Sequence, residues 1–271
     1  MTDLAAQSRD RFISGRQRTW RPSNGSIAFG VSLLFWYLAT GPLQLVGPAR
    51  FPSPLDVWNA GVQICTVGYA GAPLFIQAMH SFRLVILGFI TAGISGVFLG
   101  VVMGASPRAE KLINPTFLIL RPIPPLAWIP LAILWFGLGD AAKIFVIWYA
   151  ALVPSAINTF TGIRNVDPVI IAAARVHGAS PRQIVTQVLI PGALPMIFTG
   201  LKLSLQACWT TLVAAELVGA FYGLGRVLMT ASQDVYPGMI MFAMACVAVL
   251  GALSTLGLVW LERRIIPWRQ T

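Results

Sequence analysis

From Phe82 to Gly104 the sequence runs apolar with one charge, Arg83, and a small residue recurs at every fourth position: Gly88, Ala92, Gly96, Gly100 and Gly104. Such a stretch is long enough to cross a bilayer core, which takes ~20 apolar residues. In hydrocarbon every backbone N–H and C=O must be paired within the protein, so this stretch is expected to be helical. The small residues then line up as a ridge down one side, along which a second helix can approach to backbone contact. We read the ridge as packing; a helix that slides is the other reading.

Further runs of the same kind follow, and they set the fold class. Expected spans are 27–46, 82–104, 117–137, 142–162, 194–221 and 239–261. With 56% hydrophobic and 10% charged residues, the chain is too apolar for a soluble domain of its length. The expectation is an all-α, polytopic transmembrane helix bundle of about six spans, occupying residues 27–262. A cytoplasmic arm (1–26) precedes it and a cytoplasmic tail (263–271) follows. The arm carries Arg9, Arg11, Arg16, Arg18 and Arg21, and the apolar run behind it is too long and aromatic for a cleavable signal, so it is read as a retained span. Between the first two spans, Pro54 and Asp56 can open a short amphipathic helix through Ile64; a surface loop lying on the membrane is preferred there. Cys65, Cys208 and Cys246 have neither pairing nor metal spacing and are read as small hydrophobes.

Two of the spans are unusual. The third contains Arg121-Pro122-Ile123-Pro124-Pro125 and then Pro130, and each proline removes a backbone donor, so a broken helix is expected. A structural kink and a pathway lining by Pro124 and Pro125 both remain open. The fifth is the most polar, with Lys202, Ser204, Gln206, Trp209, Thr210, Thr211 and Glu216. Ionisable groups inside a span rarely face lipid, so these mark an interior or a wet path. Lys202, Gln206 and Thr210 share a face at four-residue spacing. Glu216 is expected to pair with Arg226 or to sit among headgroups.

The longest polar interruption of the second half is 164–191. Asp167-Pro168 reads as a capped helix start, Gly178 as its stop, and Ser180-Pro181 as a second start, with the second helix ending at Pro191. Val169, Ala173 and Val176 share one face of the first helix. Ile184, Val185, Val188 and Leu189 form the stripe of the second, and Arg175 and His177 stand on other faces. This small elbow, lined by Ala172, Ala173 and Ala174, is shaped to be gripped by another protein.

The pattern Ala172-Ala173-Ala174, three residues, Gly178, nine residues, Val188-Leu189-Ile190-Pro191 resembles the E-A-A-x3-G-x9-I-x-L-P loop of membrane subunits of bacterial ATP-binding-cassette importers. The stretches 121–139 and 210–220 are similar to the taurine, alkanesulfonate and nitrate branch. The resemblance implies the type I importer permease fold, and a coupling loop whose residues Ala172, Ala173, Ala174, Arg175, His177, Gly178, Ala179 and Pro181 meet a cytosolic ATPase. Ala172 stands where the pattern has Glu, which shifts polar contact to Arg175 and His177. It further implies a second copy of the chain, two ATP-binding subunits and a periplasmic or lipid-anchored solute-binding protein as partners. The solute is expected to be a small anion, most readily taurine or another sulfonate, with nitrate, bicarbonate or a thiamine-pyrimidine precursor as alternatives. Candidate path residues are Lys202, Gln206, Trp209, Thr210, Thr211, Pro124 and Pro125.

Charge gives the orientation. Placing both termini inside puts fourteen Lys and Arg residues in the cytosol, leaves Arg50, Arg83, Lys143 and Arg226 outside and keeps Lys202 in a span. That satisfies the positive-inside rule for a bacterial inner membrane. The formal charge of +10 is scattered at span ends, so nucleic acid is not an expected partner, whereas membrane lipid is. The chain has no G-x-x-x-x-G-K-[ST] phosphate loop, no H-E-x-x-H and no C-x-x-C. No cofactor, metal or catalytic residue is therefore expected in this chain, and ATP with Mg would belong to the partner ATPase. A membrane enzyme lacks convergent ionisable groups here, and a stand-alone channel or carrier has no use for the elbow.

Overall fold

The computed structural model describes residues 22–41, 47 and 51–267. The arginine-rich arm, the end of the first expected span beyond Gly41, and Arg50, Trp268 and Arg269 lie outside the described residues. Two compact units divide the chain, Met1–Pro54 and Leu55–Thr271. In the first, α1 (Pro22–Thr40) is a helix whose Trp36 indole N–H donates to the Pro52 carbonyl at 3.0 Å and meets the Phe51 ring edge-on.

The second unit begins with α2 (Pro54–Thr66), the amphipathic helix and not the expected surface loop. Its Ala60 and Ile64 are fully buried against Val227, Ala231 and Met239, so tertiary burial fixes what the local sequence left open. Then come α3 (Leu74–Ala105), α4 (Pro107–Leu120), a 3₁₀ turn (Pro125–Trp128), α5 (Ile129–Phe136), α6 (Asp140–Arg164) and α7 (Pro168–Val176). The chain closes with α8 (Pro181–Gly219), α9 (Leu224–Gln233) and α10 (Pro237–Ile265). Among the described residues there is no strand, and α3, α6, α8 and α10 are each long and apolar enough to cross a membrane. The broken third span is real: α4 and the stretch from Pro125 to Phe136 meet at 84° and together make a fifth candidate. Of the carbonyls near the break, Leu120 accepts from the Tyr149 hydroxyl at 2.6 Å and from the Ile123 N–H at 3.1 Å.

Helix α6 is the centre of this unit, packed on α3 along one side and α8 along the other. The glycine ridge of α3 makes the first contact. A β-carbon on Gly96 would lie 2.7 Å from Ser155 Cβ and 3.0 Å from the Leu152 carbonyl; one on Gly100 would lie 2.6 Å from the Ala156 carbonyl; one on Gly104 would lie 2.6 Å from Ile163 Cβ. At Gly96 and Gly100 backbone therefore comes close to backbone, while Gly88 and Gly104 seat the Ile147 and Ile163 side chains, and dispersion supplies the attraction that burial alone does not give in lipid. The second contact uses glycines on both sides, Gly162 under Met196 and Gly200 under Asn158 and the Pro154 carbonyl. Ser204 of α8 donates to the Ala151 carbonyl of α6 at 2.6 Å.

Gly100→Leu is expected to lower stability by about 1–3 kcal/mol, because the neighbour it strikes is main chain and cannot rotate away. Gly257→Leu, with open space at that position, is expected to be near neutral. Thermal unfolding of the two detergent-solubilised variants checks the contrast.

Candidate docking elbow and solute path

The elbow forms as its capping residues dictate. Asp167 Oδ1 accepts from the Val169 N–H at 2.8 Å, and Ser180 and Gln183 form a reciprocal capping box. Gly178 turns the corner at φ +79°, a region that L side chains rarely enter, with open space around its α-carbon. The glycine is required by backbone conformation and not by crowding. Ala179 donates its N–H to the Ala174 carbonyl at 3.0 Å, which closes the corner.

The second helix departs from expectation. It does not stop at Pro191 but passes through a π-helical turn (Ile184–Leu189) and continues as α8 to Gly219. There the Ile190 N–H reaches back to the Val185 carbonyl, and the wider turn lets a residue without an N–H follow while the helix runs on. The elbow is thus rigidly continuous with the fifth expected span.

The two faces of α7 have different fates. Ile171 and Ala174 turn inward and pack with Ala179, Val185 and the buried Ile184 and Leu189. Ala174 is therefore part of the elbow's own core. Outward stand Val169 (71% exposed), Ile170 (55%) and Val176 (86%), with Ala172 and Ala173 between them, and Arg175, His177, Pro181 and Arg182 are exposed as well. His177 uses Nδ1 to donate to the Ala173 carbonyl at 2.8 Å, so only Nε2 faces away. Beneath the elbow a cleft of about 610 Å³ is lined by Arg164, Arg175 and apolar residues including Ile163 and Ile184, and Glu110 holds Arg164 at 3.5 Å.

The path residues separate. Gln206 and Thr210 lie exposed on one face of α8, and the Thr210 hydroxyl donates to the Gln206 and Ala207 carbonyls of its own helix. Trp209 and Thr211 are 5% exposed and belong to the interior. Lys202 is ion-paired with Glu262 of α10, so its charge is already matched by a carboxylate and it is not a free cation for an anion. Pro124 is exposed and Pro125 half-buried at the break of the third span.

Glu216 meets neither expectation. It is 1% exposed and its carboxylate accepts from the Ser81 hydroxyl at 2.8 Å and the Gly225 N–H at 2.8 Å. Ser81 in turn accepts from the Leu224 N–H at 2.8 Å, and Gln77 Oε1 accepts from the Gly223 N–H at 2.6 Å. Three side chains thus take up the first free N–H groups of α9, pinning its start to α3 and α8 at the end of the unit opposite the elbow. His80 adds a 3.2 Å contact to Asp140, which also holds Lys143 at 3.4 Å. The only local trace of this cluster in the sequence is the four-residue spacing of Gln77 and Ser81, which puts both on one face of α3. Among the described residues no His, Cys, Asp and Glu group could hold a metal ion.

The apolar helices thus carry a capped elbow between two spans, and residues 96–269 match the family model described as binding-protein-dependent transport system inner membrane component. The chain belongs to that family. This permease is 35% identical over 264 residues to the taurine transport system permease protein TauC of Escherichia coli (strain K12), covering 94% of this chain and 95% of the other. It is 34% identical to the putative aliphatic sulfonates transport permease protein SsuC of Bacillus subtilis (strain 168), with 91% and 88% covered. It is 30% identical to the bicarbonate transport system permease protein CmpB of Synechocystis sp. (strain ATCC 27184 / PCC 6803 / Kazusa), with 98% and 99% covered. These relatives bear out the branch read from the motifs. The permease also shares its fold with a chain of the MetNI methionine ABC transporter in an inward-facing conformation, at a TM-score of 0.63 and 21% identity over 71% of this chain and 95% of that one. As a subunit of an ATP-binding-cassette importer in the inner membrane, the permease is a transport component and not itself an enzyme.

Glu216→Ala leaves the Gly225 N–H and the Ser81 hydroxyl without their buried acceptor, which costs about 2 kcal/mol. Hydrogen exchange is expected to rise first at the amides of Gly223 to Val227, while the elbow amides keep their wild-type rates.

Proposed function

We propose that two copies of this permease pair to frame a path for a small anionic solute, a sulfonate such as taurine being the best fit, and that ATP hydrolysis in two separate cytosolic subunits drives import. The observation that carries the motor half of this reading is the exposed apolar face of α7. Val169, Ile170 and Val176 stand free on an elbow whose ends are fully capped, and the elbow continues without a break into α8. A push or pull on that face is transmitted along a rigid helix to the exposed stripe that bears Gln206 and Thr210. Differential contact with the ATPase in its open and closed states then biases the permease between inward and outward forms.

The solute half rests on kinship. A relative named for taurine transport aligns over nearly all of both chains, and another is named for aliphatic sulfonates. Bicarbonate is the second reading, favoured by the equally complete alignment with the bicarbonate system permease. The exposed Gln206 amide suits a sulfonate or a bicarbonate oxygen, and the exposed Thr210 hydroxyl can join it by turning away from the carbonyls of its own helix, while the pairing of Lys202 with Glu262 argues against a fixed cationic clamp on this chain. Selection of the anion then falls largely to a solute-binding protein that delivers it from outside, with the elbow and both termini in the cytosol. ATP and Mg are bound by the partner subunits.

Proteoliposomes holding the permease, its cognate ATP-binding subunit and the binding protein test the reading. Taurine uptake is expected to need all three together with ATP. Uptake by the permease alone, or bicarbonate uptake with no response to taurine, would overturn it. Thr210→Val with Gln206→Leu is expected to lower uptake at least tenfold while the complex still assembles and hydrolyses ATP. Gly178→Val, which forces a β-branched residue to positive φ, is expected to weaken ATPase association at least tenfold while the chain still inserts.

A further inference from the structure

We infer that the partner surface gripping the elbow is an apolar cleft rimmed by carboxylates, with no cation opposite Ala172. The inference rests on the docking reading above and adds its chemistry. On the stretch from Pro168 to Gln183 that carries the exposed Val169, Ile170 and Val176, the ionisable side chains are Arg175, which also lines the cleft beneath, His177 and Arg182, all exposed. The elbow's one acid, Asp167, spends Oδ1 on the Val169 N–H at the helix start. Glu110 engages Arg164, but neither Arg175 nor Arg182 has an ion-pair partner among the described residues. His177 has one nitrogen committed to the Ala173 carbonyl and the other free.

Covering the apolar face strips water from what surrounds it, and a guanidinium left dry without a counter-charge is costly. The docked partner must therefore meet Arg175 and Arg182 with acceptors, and carboxylates are the groups that match a guanidinium with paired hydrogen bonds. Ala172 sits amid the apolar face and presents only a methyl group. A cation opposite it would have nothing to pair with and Arg175, one turn on, to repel it. This reverses the polarity implied by a loop with Glu at that position, where the elbow gives the carboxylate and the partner the cation.

The reversal fixes the sign of one substitution. Ala172→Glu puts a carboxylate against an acidic rim, and it is expected to weaken binding of the cognate ATP-binding subunit at least tenfold. Helix propensity changes little between Ala and Glu, so the fold is kept. The same full-length permease in detergent, titrated with that subunit, serves for three more measurements. Arg175→Glu with Arg182→Glu is expected to lose at least tenfold at low salt. Wild-type affinity is expected to fall severalfold as NaCl rises from about 50 to about 500 mM, since exposed charges are screened within a Debye length. Val169→Asp with Val176→Asp is expected to abolish binding. Tighter or unchanged binding by Ala172→Glu, or indifference of the double arginine variant, would overturn the acidic rim while leaving docking in place. Unchanged binding by the double valine variant would instead overturn the docking reading itself.

Discussion

The close approach of α3 to α6 along the glycine ridge is the constraint on which the rest of this unit depends. Gly96, Gly100 and Gly104 each leave no room for a β-carbon, so the two helices approach almost to main-chain contact at Gly96 and Gly100 and close over Ile163 at Gly104. With α3 fixed on one side of α6 and α8 on the other, both ends of the unit acquire their geometry. At one end Gly104 against Ile163 sets the base of the elbow; at the other Gln77 and Ser81 of α3 reach the turn before α9. Loosening the seam would disturb both ends together.

Several polar groups in this apolar unit are matched in pairs. Lys202 has Glu262, Glu216 has Ser81 and a backbone N–H, Asp140 has Lys143 and His80, and the Leu120 carbonyl has Tyr149. Each pair joins two helices or fixes a helix end, so charge in the spans serves assembly before it serves transport. Beyond the elbow, the polar groups of α8 left outside these pairs are neutral, among them Gln206 and Thr210 on one exposed stripe.

Much of this was legible in the sequence, because much of it is local. The small residues at every fourth position announced a seam, the Asp-Pro and Ser-Pro pairs announced two helix starts, and Gly178 announced a corner. Pro124 and Pro125 announced the break between α4 and the 3₁₀ turn. What the sequence left hidden is long-range. Ser81 and Glu216 are 135 residues apart and Lys202 and Glu262 are 60 apart, so no local pattern could join them. Glu216 reads as a headgroup residue, and Lys202 as part of a solute path, for that reason. Pro191 misled in another way: as a helix breaker by rule, it is carried by a π-helical turn that has no mark of its own. The helix α2 was likewise decided by its burial against α9 and α10.

The central claim is that the exposed face of α7 is the handle by which a separate motor moves this permease. Hydrogen exchange on the full-length permease, with and without its cognate ATP-binding subunit, tests this most directly. Protection should appear across Val169 to Arg182 and leave the turn at Gly223 to Gly225 unchanged. Protection confined to any other segment, with the Val169 to Arg182 amides exchanging as they do in the free chain, would contradict it.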